Sequence, residues 1–412
     1  MPVFFFRPEH DHTPESRSSV TWLARMVERA RVLARVVAAP FCWLYDAWQK
    51  RRNREAAPPA PASTPVGERG IPNNENENVS REALQMGQIR HRLCKQIYAP
   101  PYKARLKAFC FVLRGNAAAI QANVIQPTLA NDFKAAALVE DLFALAWVHY
   151  DEFSSIVAPD NTHGKHSYKE SAVINLIQDA TNNSNDFRVY VPSLYLDSSA
   201  AMSSGATFGF PKAYGTITMS DIAPNAAGVT LATRADEVRQ FQAANMFSQK
   251  LLVYQATPGS AQAISNMVRI QNPLPDNVDD FQKLFDAAYD AFVPATDPTL
   301  FAATKQFVDA MVFWRAPLLL LKQIPSAVTP LGQAAYQAYV TVNARVTAIH
   351  EVALLGGYSV TFEDWDSSPF VTAYGLSNPP TARQTSPSLS PVIGFYVDVS
   401  AELAVQSETP IP

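Results

Sequence analysis

The chain has 412 residues, 48% of them hydrophobic and 17% charged, enough apolar material for one large or two moderate cores beneath a modestly charged surface. Its 34 basic and 37 acidic residues leave a net charge of −3, so no broad basic excess exists to neutralise phosphates, and nucleic acid is excluded as the main partner. Three cysteines, Cys42, Cys94 and Cys110, show neither metal-ligand spacing nor an even count, no apolar run reaches the ~18 residues of a membrane span, and Phe4-Phe5-Phe6 is too short for the core of a secretory signal. These features predict a cytoplasmic protein without a disulfide framework.

In chain order, residues 1–18 carry no periodicity, whereas Trp22, Leu23, Met26, Ala30, Leu33 and Val37 recur on one helical face opposite Arg25, Glu28, Arg29, Arg31 and Arg35. Pro40 breaks or kinks this helix, and an aromatic cluster of Phe41, Trp43, Leu44, Tyr45 and Trp48 ends at Lys50-Arg51-Arg52. A basic, Trp-bearing amphipathic segment over 19–54 suits peripheral contact with a membrane surface; it equally suits docking on its own domain or a second subunit. Residues 56–79, rich in Pro, Ala, Asn and Glu, cannot bury enough surface to offset their ordering entropy and read as a flexible linker. The organisation expected is therefore a helical N-terminal segment, 1–55, the linker, 56–79, and a folded domain, 80–405.

Within that domain, 81–96 reads as a short helix, 108–113 as a buried strand and 117–124 as helical; 142–148, 171–177 and 187–191 follow as strands. Further strands are expected at 216–219, 228–233, 250–254, 318–323, 336–349, 358–362 and 392–399, with a frayed tail from 406. Between them, 278–316 switches to helical spacing through Phe281, Leu284, Phe285, Phe292, Phe301, Phe307, Val308 and Met311, interrupted at Pro294 and Pro298, which predicts two short helices. The fold class is α+β, mainly antiparallel β.

One stretch carries candidate chemistry. Gly205-Ala206-Thr207-Phe208-Gly209-Phe210-Pro211-Lys212-Ala213-Tyr214-Gly215 sets a single lysine behind a proline among aromatics and glycines. Desolvation by Phe208, Phe210 and Tyr214, the candidate binding wall, favours a neutral amine, and a neutral lysine is a nucleophile toward carbonyl carbon. A lysine snorkelling past a hydrophobic turn is the other reading of the same residues. His163 and His166 offer a ligand pair but no third ligand, so no metal site is expected.

The surroundings add a collinear set. Tyr168-Lys169-Glu170-Ser171 precedes Tyr190-Val191-Pro192-Ser193-Leu194-Tyr195-Leu196-Asp197, and Phe210-Pro211-Lys212 follows, an order that resembles the acetoacetate decarboxylase family. Pro101-Tyr102-Lys103 through Val112-Leu113-Arg114, and Leu320 to Pro325 with Val342 to Thr347 and His350-Glu351, resemble its first strand and later hairpin. The resemblance implies a cone-like barrel around an apolar pocket, with 278–316 as a helical insertion. It implies Lys212 as the imine-forming residue, Glu170 as an active-site carboxylate that carries a proton, and Arg105, or Lys107, as the group that orients a substrate carboxylate. Ala213 stands where the family has a second lysine. The activity implied is a Schiff-base-forming, decarboxylase-like lyase acting on a small keto acid, in a homo-oligomer. A pyruvate-type aldolase or dehydratase of the same superfamily and a non-catalytic binding or scaffold protein are the alternatives. No metal or organic cofactor is required, because a protonated imine is itself an electron sink.

Overall fold

The computed structural model of the chain describes residues 100–411 apart from positions 138, 159, 163, 181–185, 226–227, 242–247, 260–267, 271–282, 284–285, 288, 291–297, 313–315, 326–333 and 377–385. The expected N-terminal helix, the linker, the helix over 81–96 and His163 lie outside the described residues, as does part of the first insertion helix.

The described strands are β1 (Tyr102–Arg114), β2 (Phe133–Ala135), β3 (Leu142–Ser155), β4 (His166–Asp179), β5 (Arg188–Leu196), β6 (Lys212–Met219) and β7 (Leu231–Glu237). They continue as β8 (Gln249–Pro258), β9 (Val268–Ile270), β10 (Leu318–Pro325), β11 (Ala334–Leu355), β12 (Tyr358–Phe362), β13 (Ser388–Leu389) and β14 (Ile393–Pro410). Because β5 pairs with β4 as well as with β10, the strands β4, β5, β10, β11, β14, β1 and β3 close into a ring. Closure leaves these strands no unpaired edge along the paired stretches. A second layer, β6, β7, β8, β12 and β13, branches from β5. Pairing is antiparallel except at β5–β10 and β5–β6.

Strand alternation builds two cores. On β1 and β3, Leu106, Ala108, Cys110, Ala144 and Ala146 belong to one buried cluster, whereas Phe109, Phe111, Phe143, Leu145 and Trp147 belong to the other, shared with Tyr254, Tyr358 and Phe362 of the second layer. Such strands are buried on both faces, which is why 108–113 and 142–148 read as near-continuous apolar runs. The polar atoms enclosed between the layers are satisfied: Trp147 Nε1 donates to Thr233 Oγ1 at 3.1 Å, and Ser171 Oγ bonds Thr233 Oγ1 at 2.7 Å and Tyr254 Oη at 3.0 Å. Over Leu106 to Val112 of β1 and Ala144 to Val148 of β3 the inner face carries small or aliphatic side chains, and the outer face carries Phe109, Phe111 and Trp147.

Helices occupy the connections. Segment α1 spans 117–129, with π-helical hydrogen bonding over Ile120–Ile125; α2 is Ser199–Thr207, α3 is Pro298–Val312 and α4 is Phe370–Ala373. Pro298 stands at the first helical position of α3, where its missing N–H costs nothing. Ala303, Thr304, Phe307, Val308 and Ala310 are buried on α3.

Two strand expectations are corrected. The strand placed at 228–233 is displaced to 231–237, and the tail expected to fray is the second half of β14, paired with β11 from Thr341↔Ser407 to Ala338↔Pro410. Glu408 anchors this end by accepting from Lys322 Nζ at 2.9 Å and Tyr336 Oη at 2.7 Å. Among the described residues, no helix is long and apolar enough to cross a membrane.

Candidate active site

Helix α2, which the sequence pattern did not reveal, delivers Lys212. A parallel strand pair cannot be joined by a tight turn, so the chain leaving β5 at Leu196 must cross over before β6 can pair beside it, in register Leu194↔Lys212. Ser198 caps the crossover helix by accepting from Ala201 N at 3.3 Å. At its far end Phe208 N and Phe210 N donate to Gly205 O, and Gly209 turns the chain at φ 91°. That left-handed turn lays Gly209 against Lys322, where an added Cβ would meet backbone atoms at 2.7 Å.

The side chain of Lys212 then runs back across α2. Its Nζ donates to Ala201 O at 3.1 Å, and a Cβ on Gly205 would stand 2.1 Å from Lys212 Cε. Gly205 is therefore the gap in α2 through which the stem passes. The side chain is 7% exposed, with Nζ 5.3 Å from the Phe210 ring centroid and 5.9 Å from that of Tyr168. Burial pushes its pKa below the ordinary lysine value, with Glu170 opposing the shift.

Glu170 Oε2 lies 3.9 Å from Lys212 Nζ, beyond hydrogen-bond reach yet close enough for strong charge coupling. Its other oxygen accepts from Tyr150 Oη at 2.9 Å, and Tyr150 stacks on Tyr168 with ring centroids 4.5 Å apart. Burial raises the Glu170 pKa; Lys212 and the Tyr150 hydrogen bond partly offset this, and Asp197 adds to it. The pair thus consists of an amine pushed toward neutrality and a carboxyl pushed toward protonation. Environments that shift an amine and an acid in this way are those in which nucleophilic and proton-transfer chemistry is found.

Both heads open into a cavity of about 180 Å³ inside the ring. Phe208 and Phe210 line it, Phe208 with its ring 6.0 Å from Tyr102. Two expected site residues stand elsewhere. Tyr214 is 51% exposed and Arg105 is absent from the cavity wall. The reason for Arg105 is period-2 alternation: Leu106, Ala108 and Cys110 point inward, so odd positions of this part of β1 point outward. There Arg105 meets Asp398, its Nη2 3.3 Å from Oδ2, while Lys107 Nζ lies 2.8 Å from Asp151 Oδ2. Sequence reasoning missed Tyr150, the partner of Glu170, and Gly205, the gap for the lysine. Tyr150 gave a usable signal, standing in the same alternation as Ala146 and Val148. Among the described residues, no group of three or more His, Cys, Asp or Glu could hold a metal.

No family model matches the chain, and no curated protein matches it. Among solved structures it is similar to acetoacetate decarboxylase from Legionella pneumophila, at 12% identity over 84% of this chain and 98% of that one, with a TM-score of 0.46. It is similar to another acetoacetate decarboxylase at 17% identity over 79% of this chain and 96% of that one, TM-score 0.46. It is also similar to the enduracididine biosynthesis enzyme MppR at 13% identity over 77% of this chain and 89% of that one, TM-score 0.44.

Proposed function

We propose that the protein is an imine-forming carbon–carbon lyase acting on a keto acid, with Lys212 as nucleophile and Glu170 as proton carrier. The observation that carries this reading is a buried lysine of lowered pKa, 3.9 Å from a buried carboxyl of raised pKa, in an apolar cavity. Neutral Lys212 Nζ attacks the keto carbon, the oxygen leaves as water after protonation, and a protonated imine remains. In a 3-oxo acid the bond to the carboxyl carbon then breaks, carbon dioxide departs, and the electron pair moves into the imine to give an enamine. Glu170 in its acid form donates a proton to the enamine carbon, and water hydrolyses the resulting imine to release ketone and free lysine. Every step uses groups of this chain and solvent.

The test is borohydride trapping with acetoacetate, pyruvate and longer 2-oxo and 3-oxo acids, read by intact mass and peptide mapping. An adduct on Lys212 that is lost in Lys212→Arg, with carbon dioxide released from the 3-oxo acids, is the expected result. Adducts without carbon dioxide release would turn the reading to aldol or dehydration chemistry at the same lysine. No adduct with any acid on folded protein would favour a binding or scaffold role.

A further inference from the structure

The cavity does not end at the lysine. Its polar lining groups, Tyr102, Tyr150, Tyr168, Glu170, Ser204 and Lys212, contrast with a wall farther along the strands that is apolar. Strand register resolves that wall into layers. Glu170 pairs with Val148, which pairs with Ala108; two residues farther along β4, Ala172 pairs with Ala146, and Ala146 with Cys110. Three small side chains therefore lie side by side across β4, β3 and β1, and all three line the cavity. The same strands carry Phe109, Phe111 and Trp147 on their other face, so bulk is present at neighbouring positions and absent where it would fill the cavity. Beyond this row the lining continues with Ile174 of β4 and with Val189 and Val191 of β5, while Met311 of α3 contributes from outside the strands. At about 3.3 Å per residue, Ile174 lies roughly 13 Å along the strand from Glu170.

We infer that the substrate's carbonyl carries an unbranched alkyl or aryl substituent, laid across Cys110, Ala146 and Ala172 while the carbonyl carbon meets Lys212. This inference rests on the imine reading and names the substrate class for it: 3-oxo acids with an apolar chain of about four carbons or more, in preference to acetoacetate. A polar substituent would lose its water against this wall and gain no partner. Each methylene buried there raises affinity about fourfold, the equivalent of ~0.8 kcal/mol.

The experiment uses the full-length protein and the straight-chain 2-alkanones from acetone to 2-nonanone, with the half-saturating concentration for borohydride trapping measured for each. Calorimetric binding of 1-heptanol, which has no carbonyl, runs in parallel. Affinity is expected to rise about fourfold per methylene over several carbons. In Ala172→Phe the ratio of long- to short-chain affinity falls at least tenfold, and in the milder Ala146→Val it falls less, in the same direction. Equal affinity along the series, or a chain-length dependence untouched by both substitutions, would overturn the inference while leaving the imine reading intact. No ketone adduct, with heptanol binding that Ala146→Val weakens, would overturn the imine reading and uphold the apolar chain site.

Discussion

At the scale of single residues, the site is a problem of bringing a long cation into an apolar interior, and Gly205 solves the steric half of it. Gly205→Ala places a methyl group 2.1 Å from Lys212 Cε, so the lysine must leave its path. Alanine is also the better helix former by roughly 0.5–1 kcal/mol. The expected outcome is thermal stability at or above that of the parent together with at least a tenfold loss of borohydride trapping; unchanged trapping would show that the lysine does not cross α2. The electrostatic half lies with Glu170. Its raised pKa means that the acid form is lost as pH rises through that value, so product formation declines on the alkaline side. Tyr150 donates to the carboxylate and thereby holds the pKa lower than burial alone would set it. Removing that donor in Tyr150→Phe raises the pKa further, and the alkaline decline moves to higher pH. A pH profile of carbon dioxide release checks it, and a shift toward lower pH would rule out this role for Tyr150. Arg105, outside the cavity and paired with Asp398, is expected to matter little to the chemistry: Arg105→Ala alters trapping by less than about twofold, because its head does not reach the cavity.

At the scale of elements, the ring depends on its longest members. β11 contacts β10, β14 and β9, and its pairing with β14 shifts register at three places, between Thr341 and Val342, Val346 and Ala348, and Ile349 and Glu351. Bulges of this kind bend and twist a strand, as a closing ring requires. The end of β14 belongs to this closure, so deleting residues 406–412 removes four paired positions, from Ser407 to Pro410, and the Glu408 anchor. At ~0.5–1.5 kcal/mol per hydrogen bond, the expected fall in Tm is roughly 5–15 °C by scanning calorimetry. An unchanged Tm would mean that the tail frays after all. That tail shows why part of the fold was not legible. Gln406, Ser407, Glu408 and Thr409 offer no apolar alternation, and it is β11, more than fifty residues away in sequence, that holds them in a sheet. Strands buried on both faces announced themselves as apolar runs, and β12 was legible to its bounds because Tyr358, Val360 and Phe362 alternate with polar residues. Helix α2 was hidden for the opposite reason: Ser199 to Thr207 is made of Ser, Ala, Gly, Met and Thr, and it has no apolar stripe to read. Motif order singled out Lys212 and Glu170, whose heads the fold brings to 3.9 Å from each other. Arg105 was misplaced because a linear motif does not state which face of β1 a residue occupies, and alternation through Leu106, Ala108 and Cys110 would have stated it.

At the scale of the whole described domain, closure couples local access to global unfolding, and Cys110 reports on that coupling. It sits on β1 between β14 and β3, with Phe395 and Ala146 as register partners, and it is buried. Burial pushes its thiol up to about 12. At neutral pH only about one molecule in 10⁵ then carries the reactive thiolate, so alkylation of native protein is slow even for a reagent small enough to enter the cavity. Fast labelling needs the thiol to meet water, as it does when β1 parts from one of its neighbours. In an open sheet that could occur by fraying of an edge, with free energy well below that of global unfolding. In a closed ring, β1 is flanked on both sides, and opening one seam disturbs the pairing that fixes the rest. Iodoacetamide modification of Cys110, followed by peptide mapping across a urea series, is therefore expected to share its midpoint with the loss of tryptophan fluorescence. Tight-binding 2-alkanones should move both midpoints upward together, because a ligand held inside the ring stabilises only its closed form. A Cys110 midpoint clearly below the fluorescence midpoint would show that the ring opens at β1 on its own, and that the cavity wall is less stable than the layer packed against it.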